Sequence, residues 1–229
     1  MEPTHAARGA DVHASASLTW PSLPKASYAT RLKRPLDVAL VLLTLPLSLP
    51  VVAVFWLAIR LGGGRGFYGQ TRIGQNGRSF TCWKLRTMIP DADAALAALC
   101  EADPEIAAEW ARDQKLKRDP RITPLGQLLR RTHIDEVPQL WNILRGEMSL
   151  VGPRPFTLDQ SALYGAAGGR AYYMLRPGVT GPWQVYGRGG TAFADRVTFD
   201  EWYFRSASFA IDAAILMKTV GVVLRGDGS

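Results

Sequence analysis

The chain has 229 residues, 47% of them apolar and 21% charged, and 27 Lys and Arg against 20 Asp and Glu give it a net charge of +7. That length holds one domain of ordinary size with a sizeable core, and the basic excess suits nucleic acid, an acidic membrane surface or a phosphorylated substrate. No zinc-finger spacing, RNA-binding aromatic signature or basic-region heptad is present, so nucleic acid is the least favoured partner, and Cys82 and Cys100, without metal spacing, read most simply as buried reduced thiols.

Residues 1–30 are rich in Ala, Ser, Pro and Thr, lack periodicity and read as a mobile tail. Residues 31–65 read as a membrane-embedded segment. Arg31, Lys33 and Arg34 lead into an uncharged run from Val38 to Ile59, which at about 1.5 Å per residue is long enough to cross a bilayer as one helix. Pro46 and Pro50 interrupt it, however, and proline inside a helix removes a hydrogen bond and bends the axis. Arg60 and Arg65 follow, so both flanks are basic and neither is marked as the outer one. The residues alone leave two topologies open: a kinked single span, and a helix bent near Ser48 and Pro50 that enters the bilayer and returns. In the bent form the Ser48 hydroxyl is expected to take up a carbonyl freed by Pro50.

Residues 66–229 read as one further domain, outside the membrane-embedded segment. The glycine-rich turn from Leu61 to Gly66 is not followed by Gly-Lys-Ser/Thr, so it is no P-loop. A β-hairpin is expected over Phe67 to Met88 with its turn at Gln75-Asn76-Gly77, and alternation in its second arm sends Lys84 and Arg86 to one face. Residues 91–117 read as two scaffold helices broken at Pro104. A loop from Asp119 to Gly126 precedes a short helix, Gln127 to Arg131, that delivers Arg130 and Arg131.

Asp135 and Glu136 come next. A carboxylate pair among fixed cations suits phosphate chemistry: the acid acts as nucleophile or holds Mg²⁺, and arginines grip phosphate oxygens bidentately. The same residues also fit helix capping, with Thr132 and Asp135 spaced as a capping box and Pro138 early in the helix. His133, a lone histidine among hydrophobes, reads as structural. The helix Pro138 to Leu144 is expected to pack Leu140, Trp141 and Leu144 inward. Arg154 sits between Pro153 and Pro155 on a backbone with little freedom to lose on binding, as a phosphate site requires.

Further on, a helix pair is expected around Gly165 to Gly169, then a loop-rich basic and aromatic stretch from Arg176 to Arg188, and a helix from Phe193 to Phe204 carrying Arg196, Asp200 and Trp202. The stretch Phe209 to Leu224 is amphipathic, with Asp212 and Lys218 its only charges. It reads as a core helix, or as one lying on the membrane or at a homodimer contact.

Asp135-Glu136-x-Pro138-Gln139-Leu140-x-Asn142, followed by Met148-Ser149-x-Val151-Gly152-Pro153-Arg154-Pro155, resembles the bacterial sugar transferases. These are the monotopic polyprenyl-phosphate phosphoglycosyl transferases that start exopolysaccharide and O-antigen repeat units. The likeness runs from about Lys33 to Gly226 and includes Asp119-x-Arg121-Ile122-Thr123, the Lys84-x-Arg86 pair near the active site, and the Pro177-Gly178-x-Thr180-Gly181-x-Trp183-Gln184-Val185 segment of the longer members. It implies an α+β, mainly helical monotopic fold with a re-entrant helix broken at a Ser-Pro pair; here Leu49 separates Ser48 from Pro50 and Pro46 is extra. The family's aromatic residue after the Phe193 to Phe204 helix is replaced by Ala207. The implied activity moves a sugar-1-phosphate, from galactose or glucose in the longer members, from a UDP-sugar to undecaprenyl phosphate at the cytoplasmic face of the bacterial inner membrane. Asp135 would carry the covalent phosphoryl intermediate, UMP would leave, and Glu136 would help bind Mg²⁺. Lys84, Arg86, Arg130 and Arg154 would hold the phosphates. A membrane adaptor or a nucleic-acid binder would leave the carboxylate pair beside the arginines unexplained.

Overall fold

The computed structural model describes residues 28–113, 116–187 and 193–225. The tail read over residues 1–30 lies outside the described residues up to position 27, as does Arg188 at the end of the basic aromatic stretch. Tyr28–Leu32 form a π-helical turn that runs into α1, Lys33–Leu61. This helix is continuous through Pro46 and Pro50 and is long and apolar enough to cross a membrane. Ser48 does not serve the carbonyl that Pro50 frees. That carbonyl belongs to Pro46, only two residues back, whereas a helical hydroxyl reaches carbonyls three or four residues back; Ser48 Oγ donates to Leu45 O at 3.4 Å instead.

Both ends of α1 dock on the same body. At its start, Lys33 pairs with Asp212 at 2.5 Å and Arg34 donates to the Ile143 and Leu144 carbonyls. The Asp37 carboxylate accepts from Ser149 Oγ at 2.6 Å, and Val41 is buried with Phe80, Cys82, Ile143 and Met148. At its far end, Ile59 is buried with Leu85 and Leu129, flanked by Val52 and Phe55. The opposite side, with Leu42, Leu43, Leu47 and Leu57, is exposed.

After α1, β1 (Phe67–Ile73) and β2 (Ser79–Leu85) pair antiparallel, Phe67 opposite Leu85 and Ile73 opposite Ser79. The turn between them puts Asn76 at φ 58°, a left-handed conformation asparagine tolerates. Two scaffold helices follow, α2 (Ala92–Ala102) and α3 (Pro104–Asp113), divided at Pro104. The next helix, α4, spans Pro124–Arg131 and starts three residues before the expected Gln127. Thr123 caps it by accepting from Gly126 N at 2.9 Å, with Pro124 as first helical residue.

No capping box forms around Asp135. Thr132 instead closes α4, its hydroxyl donating to Leu128 O at 2.8 Å, and His133 turns left-handed at φ 56° before a single 3₁₀ turn, Ile134–Glu136. Helix α5, Gln139–Arg145, buries Gln139, Asn142 and Ile143. Leu140 and Leu144 pack partly inward as expected, but Trp141 does not: it is 56% exposed. The buried residues follow the i, i+3, i+4 stripe of a helix, which leaves Trp141 on the outer side.

The remaining chain builds a rack under residues 153–155. Strand β3 (Ser149–Val151) pairs in parallel with β4 (Gly178–Thr180), Ser149 opposite Gly178 and Val151 opposite Thr180. The backbones meet so closely that a Cβ on Gly178 would lie 2.1 Å from Gly152 N and one on Gly181 1.9 Å from Gly152 O. Helices α6 (Leu158–Ala166) and α7 (Ala171–Met174) form the expected pair, and α8, Pro182–Tyr186, follows β4. Then come α9, Arg196–Ser206, and α10, Phe209–Arg225. Helix α10 buries Ile215 and Asp212; Asp212 accepts from Tyr203 OH at 2.5 Å and Tyr28 OH at 2.7 Å as well as pairing with Lys33, so it fastens the start of α1 to the C-terminal helices. Among the described residues the architecture is mainly helical with two small two-stranded sheets. Both cysteines are free, Cys82 buried and Cys100 partly so.

Candidate active site

The 3₁₀ turn places Asp135 and Glu136 at the meeting point of α4, α5 and β2. Its entry through a left-handed, non-glycine His133 is strained by of order 1–2 kcal/mol, and it lets the chain reverse directly from Arg131 into the two acids.

Glu136 is the electrostatic centre. Lys84 Nζ lies 2.6 Å from its Oε1 and Arg154 NH2 3.5 Å from the same oxygen. Burial alone would raise the Glu136 pKa, but Lys84, then Arg154, outweigh it and hold the group down to about 2. Asp135 behaves in the opposite way. Its burial pushes it up to about 6; Lys84 pulls it down, the Glu136 charge adds to the rise, and Arg130 and Arg154 oppose it more weakly. Two neighbouring carboxylates thus divide into a permanently charged one and a more basic, more nucleophilic one, the separation by which acid–base roles are recognised.

Lys84 reaches the acids because β2 alternates: it shares a face with the buried Phe80 and Cys82. Arg86 lies one residue past the strand. Its guanidinium stands 5.7 Å over the Tyr68 ring, and its Nε is buried without a hydrogen-bond partner among the described residues. Arg130, at the end of α4, donates from Nε to Thr87 Oγ1 at 2.9 Å and faces the acids as a charge. Lys84 and Arg154 therefore converge on Glu136, Arg130 acts on Asp135 as a charge, and Arg86 is brought to neither acid by any contact among the described residues.

Three further residues organise this site. Asn142, fully buried, donates from Nδ2 to Thr81 O at 2.7 Å and accepts from Trp83 N at 3.1 Å. It closes the free edge of β2 just before Lys84. Arg72 donates to the Pro155 carbonyl at 3.3 Å, and Arg196 donates to the Arg154 carbonyl. The usable signals were an asparagine inside an apolar helix and arginines at inward positions of a strand and a helix.

Beside the acids runs an apolar groove of about 330 Å³. Leu45, Ser48, Leu49 and Val52 of α1 form one wall, and Val137, Pro138 and Trp141 the other. For the Mg²⁺ expected at Asp135 and Glu136, no group of three or more His, Cys, Asp or Glu that could hold a metal occurs among the described residues. Two carboxylates are nonetheless a fitting donor set for Mg²⁺, which is commonly held by one or two carboxylates together with substrate phosphates.

Residues 28–226 match the family described as bacterial sugar transferase. The chain is similar to the UDP-galactose-lipid carrier transferase of Erwinia amylovora, 45% identical over 86% of this chain and 41% of that protein. It is 43% identical to the undecaprenyl-phosphate galactose phosphotransferase of Salmonella typhimurium, again over 86% and 41%. With the exopolysaccharide production protein ExoY of Rhizobium meliloti it shares 42% identity over 86% of this chain and 87% of that one. The chain thus spans about two fifths of the length of the first two relatives and most of the third.

Proposed function

The chain belongs to the bacterial sugar transferase family, and from that premise we propose that it transfers a hexose-1-phosphate from a UDP-hexose to undecaprenyl phosphate at the cytoplasmic face of the inner membrane, the first step of an exopolysaccharide or O-antigen repeat unit. One observation carries the reading: a raised-pKa carboxylate, Asp135, beside a cation-clamped one, Glu136, the two followed at once by Val137 and Pro138, which line an apolar groove walled by α1.

In this mechanism the Asp135 carboxylate attacks the phosphorus that bears the sugar. The bond from that phosphorus to the bridging oxygen breaks, and UMP leaves with the electron pair. An acyl phosphate remains, a mixed anhydride between the Asp135 carboxyl and the sugar-bearing phosphoryl group. An oxygen of the lipid phosphate then attacks the same phosphorus, the bond to Asp135 breaks, and the free carboxylate returns as the sugar diphosphate lipid forms. Both reactants are anionic, so cations must offset charge as an anion approaches. Lys84 and Arg154 supply it at Glu136, and Arg130 adds its charge at Asp135. When bound, Mg²⁺ held by Asp135 and Glu136 would neutralise diphosphate charge.

The groove suits an acceptor with a phosphate head and an isoprenoid tail, since its apolar lining includes Val137 and Pro138, which directly follow the two acids in the chain. The re-entrant topology is supported by the docking of both ends of α1 on one body: a straight span of about 43 Å carries its ends to opposite faces of a bilayer, whereas Lys33 and Ile59 both touch the catalytic domain. The basic flanks agree. The test is a panel of UDP-sugars incubated with membranes holding the protein and undecaprenyl phosphate. UMP release with label appearing in lipid supports the reading; a panel without UMP release from any sugar refutes it.

A further inference from the structure

Arg154 holds substrate phosphate in the proposed mechanism, and the role inferred for Arg196 rests on that reading. The Arg154 side chain is 40% exposed, so packing around the guanidinium does little to fix it. Its backbone is held with unusual completeness. Three consecutive carbonyls are taken: Pro153 O accepts from Gly178 N at 2.8 Å, Arg154 O from the Arg196 guanidinium, and Pro155 O from Arg72 NH1 at 3.3 Å. The prolines on either side restrict the same segment covalently.

Arg196 is an odd residue to find there. It is 2% exposed, and its guanidinium lies between 4.9 and 5.8 Å from the ring centres of Phe156, Tyr164, Tyr172, Trp183 and Phe193. Asp200, one helical turn on, is its ion-pair partner at 3.6 Å. Removing such a pair from water is expensive, and an apolar side chain of similar size often gives equal or better stability. What an apolar residue cannot do is donate to the Arg154 carbonyl. One of the caging rings belongs to Phe156, next after Pro155, so the cage is built onto the segment it steadies.

We infer that Arg196 is a positioning residue: it pins the Arg154 backbone from inside an aromatic cage and so aims the Arg154 guanidinium at the substrate phosphates, with Arg72 doing the same one residue on. Misplacement by about 1 Å of a group that contacts the reacting centre lowers rates by about a hundredfold, so the role has a kinetic signature.

A double-mutant cycle separates it from a merely structural one. Arg196→Met and Arg196→Lys are each made in the native chain and in Arg154→Ala, in detergent-solubilised full-length protein, and UMP release is followed by kcat/KM together with thermal midpoint. In the native chain Arg196→Met is expected to lower kcat/KM by about 30- to 100-fold, and Arg196→Lys, which keeps the charge but not the planar fork, by less. In the Arg154→Ala background both losses shrink to less than about twofold, because the residue acts through a side chain that is gone. The thermal midpoints fall equally in both backgrounds. Equal fold losses with and without Arg154, or none in the native chain, overturn the inference. Full activity of Arg154→Ala overturns its premise as well, and is recognised in that variant alone. If neither Arg196 variant folds, Arg72→Met reads the same coupling through the Pro155 carbonyl, with the same expected and overturning results.

Discussion

Replacing Lys84 by Met tests the electrostatic division between the two acids. Lys84 Nζ is 2.6 Å from Glu136 Oε1, which at an effective dielectric of about 20 is roughly 6 kcal/mol of gross attraction. Breaking a buried pair costs about 3–5 kcal/mol; since both side chains keep some exposure, 23% and 14%, a net loss of about 2–3 kcal/mol is the reasonable figure. The pH dependence has a definite sign. Glu136 is depressed from its ordinary 4.5 to about 2, so its contribution to stability is complete above about 4.5 and is lost as pH falls toward about 2. The gap in stability between native and variant protein should therefore be widest at neutral pH and narrow through that acid window. Asp135 supplies the kinetic reading. It titrates near 6 with Lys84 pulling it down, so losing the ammonium should move the acid limb of UMP release upward, by about one pH unit for about 1.4 kcal/mol of lost interaction. Lys84→Arg keeps the charge and should leave the limb in place. Pre-steady-state UMP release between pH 5 and 9 is the assay. A limb that stays near 6 in Lys84→Met, with only its height reduced, would refute the claim that Lys84 tunes Asp135.

Arg154→Lys keeps the charge but loses the planar fork; UMP release is expected to fall by about tenfold or more with the thermal midpoint nearly unchanged, and unchanged kinetics would reduce the proline-flanked segment to a turn. Asn142→Ala leaves the part-buried Thr81 carbonyl and Trp83 N–H without the partner they now have; denaturant titration should show a loss of about 2–4 kcal/mol, and a loss under about 1 kcal/mol would mean that water takes over the edge of β2. Replacing Pro46 and Pro50 together by Leu restores both backbone donors. The tail should then move across the membrane or the protein be trapped inactive, read by an impermeant thiol reagent at Ser15→Cys in a background lacking Cys82 and Cys100; labelling of the unmodified helix from the periplasmic side would leave a kinked single span.

What was legible in the sequence was local. An uncharged run with basic flanks, a hairpin around Asn76-Gly77, a break at Pro104 and two adjacent acids each carry their signal within a few residues. The start of α4 was equally local, since Thr123 and Pro124 are a capping residue and a first-turn proline, and it was misplaced because the loop signal of Asp119-Pro120 was carried too far. What was hidden depended on contacts distant in the chain. Nothing near Arg154 says that Gly178, Arg72 and Arg196 will hold its neighbours, because the parallel pairing of β3 with β4 joins Ser149 to Gly178. The outward turn of Trp141 was hidden for a related reason. Helix α5 buries the polar Gln139 and Asn142, and Asn142 finds its partners at the edge of β2 and at Glu147, so a reading that sends apolar residues inward picks the wrong face. The capping reading of Thr132 and Asp135 failed because Thr132 ends the previous helix and His133 reverses the chain.

The central claim is that Asp135 carries the sugar phosphate. The direct measurement is to incubate the purified protein, without lipid, with a UDP-hexose labelled with ³²P at the phosphate that bears the sugar, and to locate the label in the digested chain. The expected result is UMP released in a burst matching the protein, label on the peptide containing Asp135, its discharge on adding undecaprenyl phosphate, and no label in Asp135→Asn. UMP release or transfer to lipid persisting in Asp135→Asn would contradict the mechanism, as would label residing on any other residue.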